Sequence, residues 1–242
     1  VLIFTSCGNA IKKKVSEIAE CKWRDKGATL SSIEKTIALN ETAVAFMKAG
    51  EVGSVLFMTK QGMVKKSELK ELITTKSFYQ VCKLSDGDEV LSVELDKKDS
   101  SILMLSRKGM SLNFDKNDIP TQGRISGGVK GMNLDENDSV IFASQIDFSH
   151  VIVVTENGYI KKINVKEFPI SQRYRKGLKY VTFAKNCQNV NFVASATGEI
   201  TLAVDFGLKV LPLETNKLPE SERTASGNEI IKKNFMSIVK LI

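Results

Sequence analysis

A single histidine, His150, four scattered cysteines and four prolines are spread over 242 residues. One imidazole cannot assemble an ordinary zinc site, and Cys7, Cys21, Cys82 and Cys187 show no C-x-x-C spacing. Neither a metal centre nor a disulfide framework is therefore expected, and no cofactor. Isolated thiols without a secretion signal read as reduced cysteines of a cytoplasmic protein. Apolar runs stop at strand length, short of the ~18–20 residues of a membrane helix. No stretch sustains a 3.6-residue apolar period; "SEIAE", "SELKEL" and "KEFPI" have room for one turn each. The carboxylate-rich "SDGDEV" and "LDENDSV" sit between strands like tight turns and match neither a calcium loop nor a phosphate-binding loop. His150 has no evident Ser or Cys partner, so the chain by itself is expected to catalyse nothing. Its first residue is Val1, already inside a strand entering a turn, which reads as a domain cut from a longer protein.

What is present is repetition. "LIFTSCGNAIKK", "LFMTKQGMVKKS", "LMLSRKGMSLNF", "IVVTENGYIKKI" and "TLAVDFGLKVLP" share one layout: an apolar strand, a short turn with glycine, a second strand. Their glycines, Gly8, Gly62, Gly109, Gly158 and Gly207, are 54, 47, 49 and 49 residues apart. Strand–Gly turn–strand is a hairpin signal, because glycine supplies the positive φ that such a turn needs. A second glycine follows in four units: Gly27, Gly131, Gly177 and Gly227, at 19, 22, 19 and 20 residues. The second unit lacks it and reads "TTKSFYQVCKL". "DEVLSVEL", "DSVIFASQI" and "VNFVASAT" supply a further strand. About four strands per ~50 residues is the layout of a propeller blade. The expectation is an all-β, five-bladed, propeller-like disc, one domain over 1–242 with repeats at about 1–53, 54–99, 100–149, 150–198 and 199–242. The polar stretch 213–228 reads as a long mobile loop.

The net charge is +7, and it is concentrated. Residues 161–181 hold seven basic residues against Glu167 alone. Such a window suits a polyanionic partner. Basic loops recur at one phase of the repeat: "CKWRDKG" (21–27), "TQGRISGGVKG" (121–131) and "SQRYRKG" (171–177). Lys22, Arg24, Lys26, Arg124, Lys130, Arg173, Arg175, Lys176 and Lys179 are their candidate contacts. Lys161 and Lys162 belong to the lysine pairs after the hairpin glycines, with Lys12–Lys14 and Lys65–Lys66. Along a strand such pairs alternate faces, so at most about half can meet a ligand, and a solvated edge explains them equally well. Trp23, Tyr174 and Tyr180 have rings able to stack, and the four tyrosines are expected to be either structural or ligand-contacting. The loops have no apolar moment beside their charge, which argues against a membrane surface.

Neither the double glycine of kelch repeats nor the Trp-Asp signature of the other large propeller class is present. "VTENGYIKKINVKEF", "MTKQGMVKKSELKEL", "GRISGGVKGMNL" and "QRYRKGLKYV" instead resemble the C-terminal domain of the A subunit of bacterial type IIA topoisomerases, the β-pinwheel of gyrase and topoisomerase IV. The resemblance covers essentially the full chain. It implies double-stranded DNA bent around a basic outer rim without base reading, in a nucleoid-associated cytoplasmic enzyme. It also implies partners, namely an ATPase B subunit together with the parent chain's own catalytic domains, with the cleavage tyrosine and ATPase lying elsewhere. The gyrase box Q-R-R-G-G-[KR]-G has no intact copy: "SQRYRKG" has Tyr174 and Arg175 in place of its two glycines. That erosion, and the first loop from Trp23 to Gly27, resemble topoisomerase IV; gyrase with a degenerate box is the alternative. From another class, a propeller scaffold for an acidic protein fits the same charge.

Overall fold

The computed structural model describes every residue except Trp23, Lys185, Lys232, Lys233 and Ile242. The described residues form five small sheets and a few short helical turns. The chain gathers into two compact units, Val1–Lys98 with Ile119–Gly131, and Asp99–Asp118 with Met132–Ile242.

In the first unit, one sheet runs in the order Ala43–Met47, Leu2–Thr5, Asn9–Lys12, Phe78–Gln80. The other runs Val129–Lys130, Met63–Glu68, Ser54–Thr59, Val90–Leu95. They share a core in which Phe4 meets Phe57 edge to face at 5.6 Å, packed with Leu2, Val55, Leu69 and Val93.

The second unit holds three sheets. Val140–Gln145, Ser101–Ser106 and Met110–Asp115 make the first, with Ile170–Ser171 and Leu178–Lys179 both paired to Met110–Asp115. Val190–Ala196, His150–Thr155, Tyr159–Asn164 and Asn228–Glu229 make the second. Val210–Glu214, Thr201–Asp205 and Ser237–Lys240 make the third. The unbroken apolar run from Val151 to Val154, inside the strand His150–Thr155, has a simple cause. Successive strand side chains point to opposite faces, and here both faces are covered: Val151 and Val153 enter one cluster with Leu103 and Tyr180, while Ile152 and Val154 enter another with Leu202 and Ile238.

Each hairpin turns as its sequence predicts. All five hairpin glycines have φ between +77° and +87°. At Gly158 a Cβ would lie 2.1 Å from the Ile231 carbonyl oxygen, so close approach as well as φ demands glycine. In four hairpins a hydroxyl three residues earlier takes an N–H across the turn: Thr5 from Asn9, Thr59 from Met63, Ser106 from Met110, Thr155 from Tyr159. The single helical turns also form, at Val15–Glu17, Leu69–Leu72 and Val165–Glu167. Equivalent turns stand at Lys116–Asp118 and Thr215–Lys217.

The repeat does not close each sheet by itself. A sheet takes three strands from its own repeat, in the order third–first–second, and the strand flanking the second comes from the repeat that follows. Phe78–Gln80, Val129–Lys130, Leu178–Lys179 and Asn228–Glu229 are these borrowed strands. The register also corrects the glycine pattern. Val129 pairs with Val64 as Leu178 pairs with Ser111, so Gly128 stands where Gly177 does, rather than Gly131. Its distance from the hairpin glycine is then 19 residues, as in the first and fourth repeats. The stretch 213–228 is corrected as well: it holds a strand end, a helical turn and the start of a borrowed strand, not one long loop.

Candidate nucleic-acid interface

The basic loops are excursions built the same way in the third, fourth and fifth repeats. After the helical turn an apolar residue, Ile119, Phe168 or Leu218, is buried as an anchor. The chain then runs parallel to the preceding repeat's second hairpin strand, bridging Thr121 to Lys66, Ile170 to Asn113, and Glu220 to Lys162. It swings outward, turns at Gly128, Gly177 or Gly227, and returns antiparallel as the borrowed strand. Gly177 has φ +82°, and a Cβ there would lie 2.0 Å from the Ser111 carbonyl oxygen. The glycine lets the loop lie flush on the hairpin, while the residues before it are held out in solvent.

An arginine precedes each of these glycines by four residues: Arg124, Arg173 and Arg223. Arg124 Nη1 donates to the Gln80 carbonyl at 2.9 Å, and Arg223 Nη1 to the equivalent Lys179 carbonyl, so each clips its loop to the borrowed strand of the loop before. Arg173 Nε donates to the Asp118 carbonyl at 3.2 Å. Sequence alone does not single out Arg223, because its loop carries little net charge; the repeated Arg-to-Gly spacing is the signal that marks it.

Of the expected contacts, Arg173, Arg175, Lys176 and Lys179 fall together in the second unit, all but the half-buried Arg173 well exposed. Arg175 Nη2 donates to Gln172 Oε1 at 3.0 Å, and Lys176 pairs with the exposed Asp135. Lys162 is half-buried on Tyr159–Asn164. In the first unit Arg124 is half-buried and Lys130 exposed. Lys22, Arg24 and Lys26 are exposed in a tight turn that Asp25 closes by accepting the Lys22 N–H at 2.8 Å.

Tyr174 keeps 46% of its surface exposed and sits at φ +60°, the left-handed region. That conformation strains a tyrosine by roughly 1 kcal/mol or more, which explains why a glycine would suit the place. Trp23, the aromatic of the first loop, lies outside the described residues.

Burial decides between the two readings of Tyr180 and overturns that of Lys161. Tyr180 does not stack on a ligand. It is fully buried, its hydroxyl donates to the Ser106 carbonyl at 2.8 Å, and burial pushes its pKa well up. Lys161 does not reach the surface: it is 1% exposed, and its Nζ donates to the carbonyls of Tyr180, Glu222, Arg223 and Ala225 at 2.6–3.0 Å. Lys65, at the same phase of the second repeat, is also buried. Its Nζ donates to Val81 and, at 2.6 Å, to Arg124, and lies 5.3 Å over the Phe57 ring. Burial and the neighbouring guanidinium push each ammonium down to about 8; for Lys65 the Cys82 thiol opposes this. The carbonyl oxygens take the place of water. Two further lysines of these pairs are engaged within the fold: Lys66 pairs with Asp96 at 2.6 Å, and Lys12 donates to the Thr74 carbonyl.

His150 does have partners. Its Nδ1 lies 2.8 Å from Ser149 Oγ and its Nε2 2.6 Å from Glu220 Oε1, a contact that holds the Glu220 carboxyl below its usual range. Ser149 Oγ also donates to the Ala196 carbonyl. The group straps the start of one strand to the fifth-repeat loop.

The family described as the DNA gyrase C-terminal domain, a beta-propeller, matches residues 1–36, 53–95, 100–147 and 149–196. The DNA gyrase A subunit of Staphylococcus epidermidis is 30% identical over 96% of this chain and 27% of its own length. The DNA topoisomerase 4 A subunit of Streptococcus pneumoniae is 27% identical over 95% of this chain and 31% of its own. The chain thus spans under a third of these relatives. Among solved structures, the C-terminal domain of DNA topoisomerase IV superposes with a TM-score of 0.88 at 26% identity, covering 99% of this chain and 78% of that one. The DNA gyrase A C-terminal domain gives 0.77 at 22%, covering 100% and 82%. The five-bladed, propeller-like fold expected from the repeats is the fold found.

Proposed function

The chain belongs to the DNA gyrase C-terminal domain family, whose relatives are A subunits of bacterial type IIA topoisomerases, and on that premise we propose that it binds and bends double-stranded DNA without sequence preference. The observation that supports this is the repeated loop: an exposed turn, an arginine and a glycine, set on a hairpin by the same strand pairing in the third, fourth and fifth repeats. Duplex DNA carries one charge per ~1.7 Å of axis, and each neutralised phosphate releases counterions. The loop cations supply that neutralisation. Glycine beside them lets backbone N–H groups approach phosphate oxygens. Lys22, Arg24, Lys26, Arg124 and Lys130 serve this role in the first unit, and Lys162, Arg173, Arg175, Lys176 and Lys179 in the second. The whole parent protein is an ATP-dependent topoisomerase in this reading, its catalytic domains and ATPase partner lying outside this chain. Among the described residues no helix is long and apolar enough to cross a membrane.

A gel-shift series with linear duplexes of increasing length tests the proposal. Bending costs on the order of 1–6 kcal/mol per 20–30 bp, so several spread contacts are needed. Affinity is expected to rise with duplex length until the loops are covered, and to fall steeply with salt. A local basic patch serving an acidic protein shows no such length dependence, and that result replaces DNA with a protein partner.

Within the family, the eroded box favours topoisomerase IV over gyrase. Tyr174 strains where the box would place glycine, and "TTKSF" in the second repeat offers only Lys76 as a cation. A domain short of strong contacts bends DNA but does not constrain a full chiral wrap. Ligation of nicked circles with rising amounts of the chain is expected to leave the topoisomer distribution nearly unshifted. A clear shift toward positive writhe marks a gyrase domain instead.

A further inference from the structure

Four carbonyl oxygens share the three N–H donors of the buried Lys161 ammonium. The four that Lys161 takes come from two different loops: Tyr180 from the end of the fourth-repeat excursion, and Glu222, Arg223 and Ala225 from the fifth. Lys65 repeats the arrangement with Val81 of the second repeat and Arg124 of the third. At each place an arginine clip runs beside it, Arg223 to the Lys179 carbonyl and Arg124 to the Gln80 carbonyl. The other three hairpins carry Ile11, Leu112 and Val210 at this phase, three residues after their glycines, side chains with no donor for such a tie.

We propose that Lys65 and Lys161 are positioning residues of the nucleic-acid interface, each holding a cation-bearing loop, that of the third or of the fourth repeat, at a fixed place against its neighbour. The inference rests on the DNA-binding reading. Phosphates along a duplex stand at fixed intervals, so a loop that contacts them must itself be held at a fixed place. A flexible pair of loops loses conformational freedom on binding, whereas a pair tied beforehand does not. An ammonium suits the task better than an apolar residue because it has three donors and no acceptor, so it draws carbonyls from both sides at once. The tied residues adjoin the candidate contacts: Tyr180 follows Lys179, and Arg124 lies in the third loop.

A double-mutant cycle on the 242-residue chain separates positioning from contact and from plain stability. The substitutions are Lys161→Met and the combined Arg173→Ala, Arg175→Ala and Lys176→Ala. Lys161→Met is read only on protein shown by circular dichroism to be folded at the assay temperature. It is expected to weaken duplex binding about tenfold in the parent chain, and less than about threefold where the loop cations are already removed. A folded Lys161→Met chain that binds like the parent shows a merely structural lysine and overturns the inference. An equal tenfold loss in both backgrounds shows action independent of the loop and also overturns it. Should Lys161→Met not fold, Lys161→Gln, which keeps two donors for the carbonyls, is judged by the same criteria. A parent chain that fails to bind duplex at all removes the DNA reading and this inference together, whereas a binding parent with an unaffected folded variant removes the inference alone.

Discussion

Replacing Arg173, Arg175 and Lys176 together with alanine is expected to lower affinity for a long duplex about a hundredfold at ~50 mM salt, for all sequences alike. Three cations leave, so the slope of log K against log salt should flatten by up to roughly 2.7, close to 0.9 for each phosphate no longer neutralised. Their partners in the free chain do not prevent this. The Lys176–Asp135 pair is exposed on both sides, at 61% and 60%, and such surface pairs hold weakly enough for a phosphate to displace the carboxylate. Arg173 donates to the Asp118 carbonyl through Nε, and a guanidinium carries further donors in its fork. Lys60, which pairs with Glu89 and belongs to none of the basic loops, is the control: Lys60→Ala should leave slope and affinity near those of the parent. An unchanged slope in the triple variant, measured by fluorescence anisotropy over a salt series, takes the loop out of the interface.

Tyr180→Ala is expected to cost about 3–5 kcal/mol of folding stability, the range for deleting a large buried aromatic. For a chain of this size that is a fall in melting temperature of roughly 10 °C. The ring packs with Leu103, Val151, Val153 and Phe168, and its backbone is held twice, by N–H to Gly109 and by the carbonyl on Lys161. Tyr180→Phe keeps the ring and loses only the bond to Ser106, a loss of about 1 kcal/mol. Differential scanning calorimetry of both variants checks the order. A Tyr180→Ala chain that melts with the parent but binds DNA poorly returns the side chain to the ligand-stacking role that burial has taken from it.

Tyr180 also shows where sequence stops being a guide. In "RKGLKYV" it stands among cations and reads as a surface aromatic, yet the borrowed strand turns it inward one residue after the pairing ends. The hairpins are legible because strand, turn and glycine are local, and the turn chemistry needs nothing from elsewhere. The borrowed strands are not, since two residues such as Leu178–Lys179 have no period of their own and are strands only because another repeat's edge receives them. For the same reason Gly131 passes for Gly128: without the register, either glycine ends a basic loop. Lys65 and Lys161 look like solvated charge in sequence. Only the convergence of carbonyls from distant loops makes an interior lysine tolerable, and that convergence is tertiary. The loop cations themselves, all except Arg223, stand out because repetition at one phase is visible along the chain.

The borrowed strand makes order of synthesis matter. A ribosome releases the second hairpin strand of a repeat about 65–70 residues before the segment that will flank it, as Ile11 precedes Phe78 and Ile160 precedes Asn228. Until then that hairpin presents an open row of amides and carbonyls, the kind of edge on which another chain can pair. Four sheets pass through this exposed stage and are sealed by their successor. In the fifth, Val210–Glu214 carries Pro212, a residue with no N–H to offer. A nascent chain stalled between repeats is thus stickier than one stalled within the loop that seals a sheet, and trimming the molecule by whole repeats leaves a raw edge rather than a clean module.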